Sequence, residues 1–204
     1  MDVSLLEKYD PQDMHKTYDV WPKIARESWE SDISEIYFEN IEHIIFVGMG
    51  GSGAIGDMFE SILSKSKIHV TVVKGFHLPS TINSNSLVIP ISVSGNTQET
   101  LTVLKSSHSL NCNIIAFVSG GEIQKYCLDN NIEYRIIPQY HSPRASFPSY
   151  FYSILRVLSK TLNIKSNDVL ESITELEYLG KQITSSNLTK TNLSLNLAQQ
   201  FSGI

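Results

Sequence analysis

Short apolar runs alternate with stretches of helical length through the middle of the chain. Five runs have the composition of β-strands, the last more weakly than the others: residues 44–47, 69–73, 87–91, 114–118 and 134–137. Nearly continuous apolar runs of this length are typical of strands covered on both faces of a parallel sheet. Helical stretches separate them at residues 54–64, 97–107 and 124–130. The alternation predicts an α/β fold with a doubly wound, parallel five-stranded sheet.

Helical periodicity extends to both ends of the chain. After Pro22, apolar side chains recur at three- and four-residue steps: Ile24, Ala25, Trp29 and Ile33. A second amphipathic helix is predicted from Pro148 to Leu158, and after a polar break at 165–167 Asp168 and Glu171 fit a capping box. We expect an N-terminal helical segment (1–40), a sheet domain (41–164) and a helical connector (165–204), with a solvated linker at 184–192 and Gly203 as the last C-cap.

The composition excludes several classes of protein. Sixteen basic side chains face twenty-one acidic ones, for a net charge of −5, and Lys and Arg do not cluster, which argues against nucleic acid as a partner. No apolar run is long enough to cross a bilayer, and no signal peptide is evident. Cys112 and Cys127 form no CxxC motif and lie in no histidine cluster, so we predict no disulfide framework, no metal site and a cytoplasmic location.

A glycine-rich turn follows the first buried strand. Residues 48–53, Gly-Met-Gly-Gly-Ser-Gly, satisfy the dinucleotide-binding pattern G-x-G-x-x-G. An NAD site places an acidic residue at the end of the next strand, but Lys74 stands there. Lys74 could hold the 2′-phosphate of NADP or could be an exposed strand end. An NADP-dependent reductase therefore stays open as a minor alternative.

A hydroxyl-rich turn follows the third strand and opens a helix. Residues 92–97 read Ser-Val-Ser-Gly-Asn-Thr, and we expect them to lie beside the first turn at the carboxyl edge of the sheet. Hydroxyl groups and free N–H groups at a helix N-terminus bind anions such as phosphate. Ser94 and Thr97 could instead serve only as helix caps. Two such turns in one sheet favour a phosphate site.

With a third segment, these turns resemble a known family. Residues 48–53, 92–97 and 142–148 (Ser-Pro-Arg-Ala-Ser-Phe-Pro) are similar, in order and spacing, to the three signatures of the bifunctional phosphoglucose/phosphomannose isomerases, archaeal-type members of the sugar isomerase (SIS) superfamily. The resemblance implies a SIS-type fold, no cofactor, a hexose 6-phosphate ligand and a homodimer. One departure is Val93, where the family commonly has Tyr.

The resemblance also assigns roles to individual residues. It implies sugar-phosphate contacts along the two turns: Gly50, Gly51, Ser52, Ser92, Ser94, Gly95, Asn96 and Thr97. Arg144 matches the arginine that stabilises the enediolate, a role suited to a guanidinium beside a developing negative charge. In the family a Glu and a His of a second SIS domain, with a Lys near the C-terminus, supply the proton transfer.

No match to those proton-transfer groups is present. His141 fits a surface loop better than a catalytic role, and Glu99 fits a first-turn position favoured by the helix dipole. We therefore expect the N-terminal SIS part of an isomerase, inactive as this chain alone because the base and acid are missing. A non-catalytic phosphosugar-binding regulatory module is the alternative.

Overall fold

The computed structural model describes residues 3–201. The strands are His43–Val47 (β1), His69–Val73 (β2), Ser86–Ser92 (β3), Asn113–Val118 (β4) and Glu133–Ile136 (β5). The helices between them are Gly51–Leu63 (α4), Gln98–Ser109 (α5) and Gly121–Asp129 (α6). Val3–Tyr9 (α1), Met14–Asp19 (α2) and Trp21–Trp29 (α3) precede the sheet, and Phe147–Leu158 (α7), Ser166–Ile183 (α8) and Leu193–Phe201 (α9) follow it. Gly203, the expected C-cap, lies outside the described residues.

The five strands form one parallel sheet in the order β2-β1-β3-β4-β5. This confirms the predicted fold class. The winding reverses between β1 and β3, which pair directly, with Val47 opposite Pro90. The turns after β1 and β3 therefore leave the same edge side by side. In open α/β sheets such a reversal point is where ligands bind, at the carboxyl ends of the strands.

Two apolar layers cover the sheet, as strands buried on both faces require. Alternate residues of β1 enter different layers: Phe46 packs with α3, α4, α7 and α8, whereas Ile45 packs with α5 and α6. Phe46 stacks on Phe59 of α4 at 4.8 Å between ring centroids, and Phe59 contacts Phe151 of α7 at 5.2 Å. This aromatic row joins α4 and α7, the two helices whose preceding loops carry the first and third motifs.

The N-terminal prediction was too long, because the helices end at Trp29. Residues 30–42 contain no helix and run across α7. Ile36 donates its N–H to Val157 O at 3.0 Å, and Phe38 donates its N–H to Thr161 Oγ1 at 3.1 Å. Ile33, Ile36 and Phe38 pack against the core. Contacts with α7 and with the turn that follows it thus replace the intrahelical hydrogen bonds that periodicity had predicted.

One prediction about the C-terminal segment was wrong, and a second was incomplete. Helix α8 begins at Ser166, so Asp168 lies inside the first turn and makes no cap; polar residues suit an exposed first turn as well as a loop. The stretch 184–192 is not simply solvated. Asn192 is buried, its Nδ2 donates to Asn187 O at 2.8 Å, and its Oδ1 accepts the Leu195 N–H at 3.0 Å. None of the described helices is both long and apolar enough to cross a membrane.

Two buried threonines differ in how their hydroxyl groups are satisfied. Thr100 Oγ1, in the first turn of α5, is fully buried without a hydrogen-bond partner among residues 3–201. Thr161 Oγ1 accepts the Phe38 N–H at 3.1 Å. A buried polar group without a partner costs free energy, whereas a satisfied one contributes a small net gain.

We expect Thr100→Val to raise the free energy of unfolding by about 1 kcal/mol and the matched Thr161→Val to lower it by about 1 kcal/mol. Urea unfolding at neutral pH measures both. Equal losses for the two variants would show that the Thr100 hydroxyl has a partner in solution.

Candidate functional site

Three strand-to-helix turns meet at the carboxyl edge of the sheet. They follow β1, β3 and β4, which lead into α4, α5 and α6. Because β3 pairs with both β1 and β4, its turn lies between the other two. The first two turns carry the residues that the sequence singled out, and the third was not singled out.

The first turn approaches helix α4 through Gly50. This residue has a φ of 53° and a ψ of −123° and occupies the N-cap position, with no side chain capping the helix. Ser52 lies in the first turn of α4, half-buried, and its hydroxyl makes no hydrogen bond within the described part of the chain. A Cβ on Gly48 would lie 2.8 Å from the main chain of Ser52, so the turn is too tight for another residue there. An uncapped helix N-terminus and a free hydroxyl thus share this turn.

In the second turn the two serines have different surroundings. Ser92 is buried; its Oγ accepts the Gly95 N–H at 3.1 Å and lies 2.9 Å from Thr97 Oγ1. Ser94 is exposed, and its Oγ accepts the Asn96 N–H at 3.3 Å. Thr97 is the N-cap of α5, but its side chain does not cap the helix. Ser92 therefore stabilises the turn, whereas Ser94 is exposed and the N-cap residue of α5 makes no side-chain cap.

The third turn supports the second. The Gly95 carbonyl accepts the Ile123 N–H at 2.9 Å, and Asn96 Oδ1 accepts the Glu122 N–H at 3.0 Å. A Cβ on Gly95, whose φ is 67°, would lie 1.7 Å from Gly120 O. The N-terminus of α6 is therefore capped by the second turn. Sequence reasoning missed this contact, although Ser119-Gly120-Gly121 after a buried strand was a visible signal.

The Arg144 segment, before α7, lies next to the first turn. A Cβ on Gly51 would lie 3.8 Å from Arg144 Cα, so the two main chains are neighbours. The Arg144 side chain is exposed and has no ion-pair partner among the described residues. Trp21 Nε1 donates to Ala145 O at 2.8 Å, and Ser146 Oγ donates to Ser142 O at 2.9 Å. The main chain around Arg144 is thus fixed by hydrogen bonds, whereas the guanidinium has no ion-pair partner among residues 3–201.

Other polar groups near this edge are already engaged or exposed. Lys74 Nζ lies 2.6 Å from Asp57 Oδ2, so the charge that an NADP 2′-phosphate would require is paired. Burial raises the pKa of Tyr150, whose OH lies 2.6 Å from Ser119 Oγ and ties α7 to the third turn. Glu99 is half-buried in the first turn of α5, and His141 is exposed. Residues 3–201 contain no cluster of His, Cys, Asp or Glu suited to a metal ion.

The fold and this edge define the class of protein. A family model described as SIS domain matches residues 37–155. The chain belongs to the SIS domain family. A Clostridium difficile 630 protein, proposed as a phosphosugar isomerase, has a similar solved structure, with a TM-score of 0.65 at 18% identity over 84% of this chain and 52% of that one. At that identity the likeness shows the fold alone.

Curated relatives narrow the class and confirm the resemblance found in the sequence. The chain is 29% identical, over 151 residues, to the bifunctional phosphoglucose/phosphomannose isomerase of Caldicellulosiruptor bescii, covering 74% of this chain and 42% of the relative. It is 26% identical, over 163 residues, to the D-glucosamine-6-phosphate 4-epimerase of Sulfolobus acidocaldarius, covering 78% of this chain and 51% of the relative. The chain thus spans about half the length of the curated relatives it matches.

The contact between the second and third turns can be tested by a glycine pair. In Gly95→Ala the new Cβ meets main-chain atoms of Gly120, and the left-handed φ is unfavourable. We expect the free energy of unfolding to fall by more than about 2 kcal/mol. Gly75→Ala, with no atom within 4 Å of the new Cβ, is the matched control and should change it by less than about 0.5 kcal/mol. Similar urea-unfolding midpoints for the two variants would contradict the contact.

Proposed function

We propose that this chain binds the phosphate group of a hexose 6-phosphate as the N-terminal SIS part of a phosphoglucose/phosphomannose isomerase. The observation that carries the proposal is the pair of uncapped helix N-termini, those of α4 and α5, after the two strands between which the winding reverses. N–H groups at a helix N-terminus, with the helix dipole behind them, favour an anion.

The surroundings of each residue suggest a division of roles within the phosphate site. Ser52 and Ser94 offer hydroxyl groups that can donate to phosphate oxygens, because neither hydroxyl donates a hydrogen bond to any residue from 3 to 201 that would be lost on binding. Ser92 and Thr97 pair with each other at 2.9 Å, so their contribution to binding includes the shape of the turn. Gly50 and Gly51 leave space for the sugar beside the main chain.

Arg144 is the group proposed to act on the reacting carbons. Aldose–ketose isomerisation moves a proton between C1 and C2 through an enediolate with negative charge on oxygen. A guanidinium held beside that oxygen stabilises the charge and lowers the barrier. Support comes from the unpaired Arg144 side chain and from its main chain next to Gly51.

The ligand is proposed to be glucose 6-phosphate, fructose 6-phosphate or mannose 6-phosphate. The names of the phosphoglucose/phosphomannose isomerase relatives support these sugars, whereas the epimerase relative acts on glucosamine 6-phosphate by its name. We further propose a homodimer and a cytoplasmic location, the latter in keeping with two free cysteines.

Ligand binding tests the proposal. We expect fructose 6-phosphate at 100 times its Kd to stabilise the chain by about 2.7 kcal/mol in thermal unfolding.

Ser94→Ala and Thr97→Ala should each weaken the affinity by about tenfold, because each removes a hydroxyl from the second turn. Ser106→Ala, an exposed serine on the same helix that bonds only to Thr102 O, is the matched control and should leave the affinity unchanged. Equal stabilisation by fructose 6-phosphate and inorganic sulfate would overturn the sugar-phosphate assignment.

Turnover distinguishes the isomerase part from an intact enzyme. Glu99 and Glu122 lie in the first turns of α5 and α6, but no described residue matches the proton-transfer Glu and His of the family, so we expect this chain alone to give no measurable conversion of fructose 6-phosphate to glucose 6-phosphate. A coupled assay with glucose-6-phosphate dehydrogenase measures it. Conversion that is lost in Arg144→Gln would show that the base and acid lie within these 204 residues.

A further inference from the structure

Asn96 makes three hydrogen bonds at the junction of the second and third turns. Its Oδ1 accepts the Glu122 N–H at 3.0 Å, and its Nδ2 donates to Ser94 O at 3.0 Å. Its own main-chain N–H donates to Ser94 Oγ at 3.3 Å. One residue therefore contacts both the carbonyl and the hydroxyl of Ser94 and links them to helix α6.

The geometry around Asn96 leaves little freedom. A Cβ on Gly121 would lie 2.7 Å from Asn96 Oδ1, and a Cβ on Gly95 would lie 1.7 Å from Gly120 O. Glycine at these positions lets the two main chains meet, and the Asn96 carboxamide then occupies the space above the N-terminus of α6. The N–H of Glu122, which an intrahelical acceptor cannot satisfy, is paired by Oδ1.

We propose that Asn96 is a positioning residue that orients Ser94 for the sugar phosphate. This rests on the proposed function, since it deepens the role of the second turn. One N–H of Nδ2 is already committed to Ser94 O, and Oδ1, which accepts the Glu122 N–H, is an acceptor that would repel an anion. Asn96 acts on the ligand through Ser94, and α6 serves as the fixed support.

The proposal explains why asparagine suits this position. Aspartate could accept the Glu122 N–H, but it could not donate to Ser94 O, and its negative charge would stand beside a bound phosphate. Alanine would leave both the Glu122 N–H and the Ser94 carbonyl without their partner. Asn96→Asp therefore keeps the cap of α6 and loses the bond to Ser94 O, whereas Asn96→Ala loses both.

A double-mutant cycle tests the link between Asn96 and Ser94, with fructose 6-phosphate affinity measured by calorimetry on the full chain. Asn96→Ala alone should weaken binding by about tenfold. In a Ser94→Ala background the same change should weaken it by less than about twofold, because its effect passes through the missing hydroxyl. The matched control is Asn130→Ala, which removes the hydrogen bond from Asn130 Nδ2 to Tyr126 O at the other end of α6 and should leave the affinity unchanged.

Hydrogen exchange gives a readout that needs no ligand. The Glu122 amide should exchange faster in Asn96→Ala but not in Asn130→Ala, and it should stay protected in Asn96→Asp although binding falls. Multiplicative losses in the double mutant, or unchanged Glu122 exchange in Asn96→Ala, would overturn the positioning role. If the wild-type chain binds no fructose 6-phosphate, both the proposed function and the positioning role of Asn96 fail. If the wild-type chain binds it and the losses in the double mutant multiply, only the positioning role of Asn96 fails.

Discussion

The close approach of two main chains, at Gly95 and Gly120, is the constraint on which the site depends. A side chain on Gly95 would have to occupy the place of the Gly120 carbonyl oxygen. Because the turns meet, the Gly95 carbonyl and the Asn96 carboxamide cap α6, and the hydroxyl of Ser94 is left on the outer side. Three neighbouring helix N-termini therefore differ: one is capped from within the protein, and two have no side-chain cap.

This difference divides the chemistry of the edge. A helix N-terminus attracts any hydrogen-bond acceptor, whether it belongs to the protein or to a ligand. At α6 the acceptors come from a neighbouring turn, so that helix contributes rigidity. At α4 and α5 no side chain among residues 3–201 caps the helix, and Arg144 lies next to the first of these two turns. Helix α6 thus supplies rigid support, and helices α4 and α5, which flank the same sheet, supply the N-termini that attract an anion.

Much of the fold follows from local patterns, and the sequence predicted it. Buried strands such as 44–47 and 114–118 are continuous apolar runs, and the two motif turns follow strands directly, so the doubly wound sheet and its edge could be predicted. Periodicity failed where tertiary contacts replace helical hydrogen bonds, as at Ile36, which bonds to α7, and Phe38, which bonds to the turn after α7. The pairing of Ser92 with Thr97 and the capping of α6 depend on how turns from different strands meet, and spacing along the chain does not contain that information.

The hydrogen bond from Trp21 to Ala145 connects the N-terminal helices to the Arg144 segment. Trp21 also packs edge-on against Tyr18 at 4.7 Å between centroids, while the second tryptophan of the chain, Trp29, is buried in the core. Trp21 bonds to Ala145, the residue that follows Arg144, so its indole is an intrinsic fluorophore beside the Arg144 segment. We expect its emission to report the polarity and position of that segment without any added label, beside a second signal from the buried Trp29.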